Sequence, residues 1–341
     1  MRVTIKDLAE RAGCSITTVS HILNGKGARF SPDLRDNVLR LADQLGYRPD
    51  PIAVSMVTGR TRTIGLILPN IHNMFFALLA EEIEKYCHQL DYNVILCNSM
   101  DNRATEHTYI QALLARKVDG ILLALASDST MSGTMDHARL AEEKGIPVCL
   151  IDRMVSTENL DMVSIDHELG GFLACQHLID LGHREIAFLT GPSKQLNSQL
   201  RLKGAKSALR QYGRDMLETA IFPGDYSWEC GYRQADAILA SGATGLFAFN
   251  DWSAFGVIMK LNELHKSVPL DLSIIAYDNI PFLNGGVLSL STIHQPIDQL
   301  AQAGIDTLLN RLDNPGCPYQ QHVLEPKLIE RDSTMSLAQG R

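Results

Sequence analysis

The chain has 341 residues, enough for two or three domains, and its 45% hydrophobic and 21% charged content excludes disorder as the main state. A net charge of −8 argues against a nucleic-acid partner when the chain is taken whole. Residues 1–60, however, carry nine Lys or Arg against six acids, +3, which leaves −11 for the remainder; a basic segment on an acidic body points to a nucleic-acid module.

The first 48 residues read as three short helices. Thr4 caps the first, with Asp7 at its third position; Leu8, Ala9 and Ala12 form its apolar face and Gly13 ends it. Ser15 caps a second helix with Val19, Ile22 and Leu23 inward, stopped by Asn24-Gly25. Ser31-Pro32 opens a third, with Val38, Leu41, Ala42 and Leu45 at helical spacing and Gly46 closing it. Helix, tight turn, short helix is the helix-turn-helix arrangement; any small helical bundle is the alternative. The second helix begins with the small side chains of Ser15, Ile16, Thr17 and Thr18. Backbone N–H groups at such a terminus suit a phosphate, and the slim helix suits groove entry.

Residues 49–63 read as a linker that can become a helix, with Asp50 as cap and Pro51 as first residue. Two turns are too few to be stable alone, so a partner chain or DNA must order them. From Ile64 onward apolar runs alternate with helical periodicity. The runs are Ile64–Leu68, Val94–Cys97, Gly120–Leu123, Val148–Ile151, Val163–Ile165, Ile186–Leu189, Leu246–Phe249 and Ile274–Tyr277. Between them lie helical segments such as Ala77–Gln89, Leu169–Leu181, Arg201–Tyr212 and Ser253–Leu264. Repeated βα units imply parallel sheets covered by helices. The stretch is long for one sheet, so two lobes are expected, each doubly wound.

Ligands of open α/β sheets sit outside the carboxyl ends of the strands. There the sequence offers Asn70 through Phe76, Asp152-Arg153, Asn250-Asp251-Trp252 and Asp278-Asn279. Carboxylates, amides, a guanidinium and aromatics on one edge suit a small polyhydroxylated or heterocyclic ligand. Alternatively Asn250 and Asp251 only cap a helix, and Asp152-Arg153 is a solvated loop pair. There is no G-x-S-x-G, Walker loop or H-E-x-x-H, and Gly25-Lys26-Gly27 is only a fragment of a phosphate loop, so neither an enzyme nor a cofactor is expected. His177 and His183 read as satisfied or exposed histidines, and no metal is expected. The odd count of seven Cys without C-x-x-C spacing, the absence of a signal-peptide core at Met1–Asp7 and the lack of any membrane-length apolar run suggest a reduced, cytoplasmic chain.

Several motifs together resemble the lactose/galactose repressor family: Val3-Thr4-Ile5-Lys6-Asp7-Leu8-Ala9, Ala12-Gly13-Cys14-Ser15, Thr18-Val19-Ser20-His21-Ile22-Leu23-Asn24, Leu45-Gly46-Tyr47-Arg48-Pro49 and Ile275-Ala276-Tyr277-Asp278-Asn279. The resemblance covers essentially the whole chain. It implies an α/β protein with a three-helix helix-turn-helix head over residues 1–48, a hinge over 49–63 and a two-lobed core over 64–341 similar to periplasmic sugar-binding proteins. It also implies a homodimer reading a near-palindromic DNA operator as a repressor of carbohydrate use, controlled by a sugar-like effector.

By that resemblance Thr4, Ser15, Ile16, Thr17, Thr18, Ser20, His21, Asn24, Tyr47, Ala53 and Met56 lie toward DNA. His21 departs from the family's usual Arg, losing a bidentate fork to guanine. Met56 replaces the usual Leu wedge of the hinge. Asp50 and Val54 replace Asn and Arg, which implies weaker or more ligand-dependent hinge docking. The resemblance assigns effector contact to Phe75, Phe76, Asn197, Arg201, Tyr226, Asn250 and Asp278, and the strand-end reading adds Asn70, Asp152 and Arg153. Gln195 stands where purine-responsive members carry Arg, which favours a sugar over a purine. A nucleoside, a purine and a sugar phosphate are the alternative effectors. A solute-binding protein is disfavoured by the helix-turn-helix, and a C-terminal coiled-coil tetramer by the short tail after Glu330.

Overall fold

The computed structural model describes residues 3–23, 25, 27–48, 51–128, 131–155, 157–217, 220–281 and 289–337. Two compact units divide the chain, Met1–Thr61 and Arg62–Arg341.

The first unit holds α1 (Ile5–Ala12), α2 (Ile16–Leu23), a single 3₁₀ turn (Gly27–Arg29), α3 (Pro32–Gln44) and α4 (Pro51–Thr58). A capping box opens α1: the Thr4 hydroxyl accepts from the Asp7 N–H (3.4 Å) while Asp7 Oδ2 accepts from the Thr4 N–H (2.8 Å). Those bonds hold the Asp7 carboxyl below the usual carboxylate range. Gly13 closes the helix at φ 64°, a conformation that favours glycine. Leu8, Ala9, Val19, Ile22, Val38 and Ala42 form the small core.

The second unit contains two sheets. Lobe one has β1 (Thr63–Leu68), β2 (Asn93–Asn98), β3 (Gly120–Leu123), β4 (Val148–Ile151), β5 (Asp161–Ile165) and β11 (Gln321–Leu324), in the order β11-β5-β4-β3-β1-β2, all parallel. Lobe two has β6 (Ile186–Leu189), β7 (Ile221–Phe222), β8 (Gly245–Ala248), β9 (Ser273–Asp278), β10 (Ser291–His294) and β12 (Lys327–Ile329). Their order is β12-β10-β9-β8-β6-β7, with only β12 antiparallel.

Helices cover both faces of each sheet, as parallel strands require. On lobe one, α5 (Met74–Gln89) and α12 (Ile297–Asp313) bury Leu79, Ile83, Leu300, Ile305 and Leu308 against one face. There α6 (Arg103–Ala115) and α7 (Met131–Glu142) bury Leu113 and Ala138 against the other. On lobe two, α8 (His167–Asp180) and α9 (Leu196–Gln211) pack opposite α10 (Trp228–Ala240) and α11 (Asp251–Glu263). The chain passes between lobes three times, after β5, after β10 and after β11.

The eight apolar runs all form strands, within a residue or two of their expected ends. Four strands carry no such run. β10 buries Ser291 and Thr292, whose polarity is absorbed by bonds from the Ser291 N–H to Ser333 Oγ (2.7 Å) and from the Thr292 hydroxyl to Asp251 (2.7 Å). β11 is a mostly exposed edge, and β7 and β12 have two and three residues. All seven cysteines are free thiols, five of them buried. Burial pushes the thiols of Cys87 and Cys175 up to about 12, so they act as inert apolar filling. Among the described residues no helix is long and apolar enough to cross a membrane.

Candidate functional site

In the head, Ser15 caps α2: its hydroxyl accepts from the Thr18 N–H (3.0 Å) and pairs with the Thr18 hydroxyl (2.9 Å). Val19 and Ile22 face the core, which turns Ser15, Ile16 and Thr17 to solvent; Ile16 is 42% exposed. An apolar side chain at the tip of this helix can meet a thymine methyl, and the neighbouring hydroxyls can reach base edges or phosphates. Thr4 and Ala53 are exposed, and Thr18, Ser20, His21 and Tyr47 are half-buried. His21 leans on Phe30, ring centroids 6.5 Å apart. Lys6, Arg11, Arg29, Arg35, Arg40 and Arg48 of this unit are all exposed. Asn24 and the Met56 side chain lie outside the described residues. The linker forms α4 over Pro51–Thr58, closed by the Thr58 hydroxyl donating to the Val54 carbonyl (3.0 Å).

In the core, strand ends from both lobes converge on a small cavity of about 30 Å³. Nine expected effector residues line it: Phe75, Phe76, Asp152, Arg153, Asn197, Arg201, Tyr226, Asn250 and Asp278. Asn70 does not; it lines an outer chamber of about 430 Å³. Three further residues line the inner cavity: Asn73, Gln195 and Gln295. Gln295 follows β10, a strand without an apolar run, which is why strand-end reasoning passed over it.

Local folding places each side chain. Asn73 caps α5 through the Phe75 N–H (3.1 Å) and sets Phe75 and Phe76 at the cavity wall, packed edge to face at 5.2 Å. Asp152 follows β4 in left-handed backbone, φ 63°. Tyr226, at φ 68°, lies flat against Gly191, where a Cβ would stand 2.0 Å from its ring. Asn250 is a helix cap that also lines the cavity. Its Oδ1 caps α11 through the Ser253 N–H (3.0 Å), and its Nδ2 donates to the Tyr226 carbonyl (3.0 Å) at the pocket. Asp152-Arg153 is not a solvated pair, for Asp152 is buried and the Arg153 side chain is only 12% exposed.

Arg201 is the electrostatic centre. Its guanidinium lies 3.6 Å from the Tyr277 ring centroid, donates to the Phe249 carbonyl and stands 3.4 Å from His167 Nδ1 through Nε. Burial opposes its charge, but the facing Tyr226, Tyr277, Asp278 and Asp152 outweigh that and raise its pKa. Burial, reinforced by Arg201, pushes His167 well below its usual value, so it is a neutral imidazole. Burial lifts Asp152 to about 6 against the pull of Arg153 and Arg201, and lifts Asp278 well above the carboxylate range. Asp278 Oδ1 accepts from Gln295 Nε2 (2.6 Å). Asp152 Oδ1 and Gln295 Oε1 are buried acceptors with no hydrogen-bond partner. Buried acceptors left open in this way match a ligand rich in hydroxyl donors.

Polar bonds span the lobes beside the pocket. Asn197 Nδ2 donates to the Asp152 carbonyl (3.3 Å), and Gln195 Nε2 donates to the Ser127 hydroxyl. Ser127 in turn donates to Asp101, which takes Arg153 Nη1 at 2.6 Å. His177 and His183 are buried structural residues, bonded to Thr334 (2.9 Å) and to Thr244 (3.0 Å) and the Met335 carbonyl (3.2 Å).

Residues 4–50 match the bacterial regulatory proteins of the lacI family, and residues 175–334 match the periplasmic binding protein-like domain. The HTH-type transcriptional repressor PurR of Vibrio cholerae is 33% identical over 99% of both chains. The chain belongs to the lacI family. It is a DNA-binding transcriptional regulator with a helix-turn-helix head and a periplasmic-binding-protein-like core. Among solved lacI-family structures, a Lac repressor dimer bound to operator and the anti-inducer ONPF matches with TM-score 0.87 and 25% identity over 98% of this chain and all of that one. A LacI-family transcriptional regulator of Enterococcus faecium with bound ribose matches with TM-score 0.72 and 34% identity, over 81% of this chain and 99% of that one.

Proposed function

We propose that this lacI-family protein is a homodimeric repressor in the cytoplasm that binds a near-palindromic operator and answers to a sugar held between its core lobes, acting by binding and not by turnover. In this reading residues 1–48 read DNA, residues 49–63 are the hinge and residues 64–341 sense the effector. Ile16, Thr17 and His21 of α2 face base edges, Thr4, Ser15, Thr18, Ser20 and Tyr47 position the head, and Ala53 and Met56 belong to the hinge. The observation that carries the sugar reading is the inner pocket. Tyr226, Phe75 and Phe76 supply ring faces, and the open acceptors of Asp152 and Gln295 await hydroxyls. Gln195 is neutral and already bonded to Ser127, so the position where purine-responsive members carry Arg supplies no cation to a purine here.

Lobe motion is read by the hinge as order or disorder, and the effector shifts operator affinity only by its differential affinity for the two lobe arrangements. Thermal unfolding of the full chain with sugars, sugar phosphates, nucleosides and purine bases tests the reading. A sugar at about 100 times its Kd stabilises the chain by about 2.7 kcal/mol and changes operator affinity in a gel-shift assay. Arg201→Ala removes that stabilisation; a sugar that still binds the variant overturns the pocket assignment, and stabilisation by a purine base alone overturns the sugar.

A further inference from the structure

We propose that the effector is larger than one sugar ring, a neutral disaccharide whose second ring lies in the outer chamber against Trp228 and Trp252. This rests on the reading of the inner pocket as a sugar site. The outer chamber, at about 430 Å³ against 30 Å³, shares Asn73, Phe76, Arg153, Gln195 and Tyr226 with the inner pocket as common walls. A ligand seated in one therefore continues into the other past the same side chains.

Trp228 is the first residue of α10 and Trp252 the second of α11. The two helices are in backbone contact. A Cβ on Gly256 would stand 1.9 Å from the Trp228 carbonyl, and one on Gly231 2.0 Å from that of Ser253. That contact sets the two helix starts side by side at the chamber. Each indole is also held by a ring further along its own helix: Trp252 stacks on Phe255 (5.5 Å, 13°) and Trp228 meets Tyr232 edge-on (6.4 Å, 76°). Aromatic surfaces fixed before the ligand arrives lose little entropy on binding. Their flat apolar faces fit the C–H face of a sugar ring, with Asn70, His72, Asp225 and Glu229 at hand for its hydroxyls.

The chamber's charge selects against a phosphate. Among its described lining residues Asp101, Asp225 and Glu229 are acidic, and Arg153 is the only Lys or Arg, already bonded to Asp101 at 2.6 Å. A phosphate dianion would face carboxylates there, whereas an uncharged ring meets no such repulsion.

The chain has two tryptophans, and both line this chamber, so their emission reports its occupancy. The test titrates the full chain with glucose and galactose against cellobiose, maltose and lactose, with glucose 6-phosphate, adenine and guanine alongside, by calorimetry and tryptophan emission. One disaccharide binds about ten-fold more tightly than its monosaccharide, about 1.4 kcal/mol, and shifts the emission. Trp252→Ala brings that ratio close to one, while Trp252→Phe, which keeps a ring and the fold, preserves most of it. The proposal is overturned if no disaccharide outdoes its monosaccharide, if the preference survives Trp228→Ala combined with Trp252→Ala, or if glucose 6-phosphate is preferred. Monosaccharide binding without a disaccharide preference overturns only the subsite. Binding of adenine or guanine in place of every sugar overturns the inner-pocket reading as well, so the two failures are told apart.

Discussion

Asp152→Asn isolates the carboxyl at the centre of the pocket. Burial lifts its folded-state pKa from 3.8 to about 6, with Arg153 and Arg201 pulling the other way. A folded value above the unfolded one means that the native state holds the proton more tightly. The resulting stability is fully present below pH 3.8 and is lost as pH rises through 6. The difference between the two values corresponds to about 3 kcal/mol, of which about 1.4 kcal/mol disappears between roughly pH 5 and roughly pH 7.5. Asparagine has nearly the same shape, tolerates the left-handed backbone at this position (φ 63°) and does not titrate. Urea unfolding of both proteins at those two pH values is the assay. The variant gains about 1.4 kcal/mol on the parent between them. Asp251, lifted to about 7, is present in both proteins and drops out of the comparison, whereas Asp278, which Asp152 helps to raise, is lowered in the variant. Identical pH dependence in parent and variant would refute the argument that an uncompensated buried carboxyl sits here. Sugar binding gives a second reading of the same group. A hydroxyl donated to Asp152 favours the ionised form, so parent affinity climbs through about pH 6 while the variant's stays flat.

Gly171→Ala puts a Cβ 2.0 Å from the Arg201 carbonyl and forces α8 away from α9. Overpacking of this kind destabilises by about 1–3 kcal/mol, read as a lower urea midpoint at unchanged m, with weaker sugar binding because Arg201 moves with α9. His21→Arg restores a two-pronged donor on α2. Against a set of operator variants it gains about 1–3 kcal/mol for sites with guanine at the facing step and nothing elsewhere; a uniform gain across the set would mean a phosphate contact instead.

The parts of the molecule that were legible in the sequence are those where one local rule acts alone. Thr4, Ser15 and Gly13 marked the ends of α1 and α2 because caps depend on their immediate neighbours. Seven of the eight apolar runs marked interior strands, because strands buried on both faces must be apolar throughout, and the eighth, Val94–Cys97, formed the partly exposed edge strand β2. β10 escaped because its buried Ser291 and Thr292 are satisfied by Ser333 and Asp251, partners some forty residues away. Gln295 escaped with it. Asn70 lines the outer chamber and not the inner one, a difference of depth in the cleft that sequence order does not give. Asn250 was posed as a cap or a contact; its Oδ1 caps α11 while its Nδ2 bonds the Tyr226 carbonyl at the cavity.

The three passages of the chain between lobes also set an order of manufacture. Head and hinge end at Thr61, with a hydrophobic core of their own. The lobe-one sheet is whole only once the chain has been made through Gln321–Leu324, and the lobe-two sheet only through Lys327–Ile329. Domains fold as they emerge from the ribosome, so the DNA-reading part is finished well before either lobe of the core. A nonsense codon anywhere between the hinge and α12 therefore leaves an intact head attached to a sensor that cannot close either sheet.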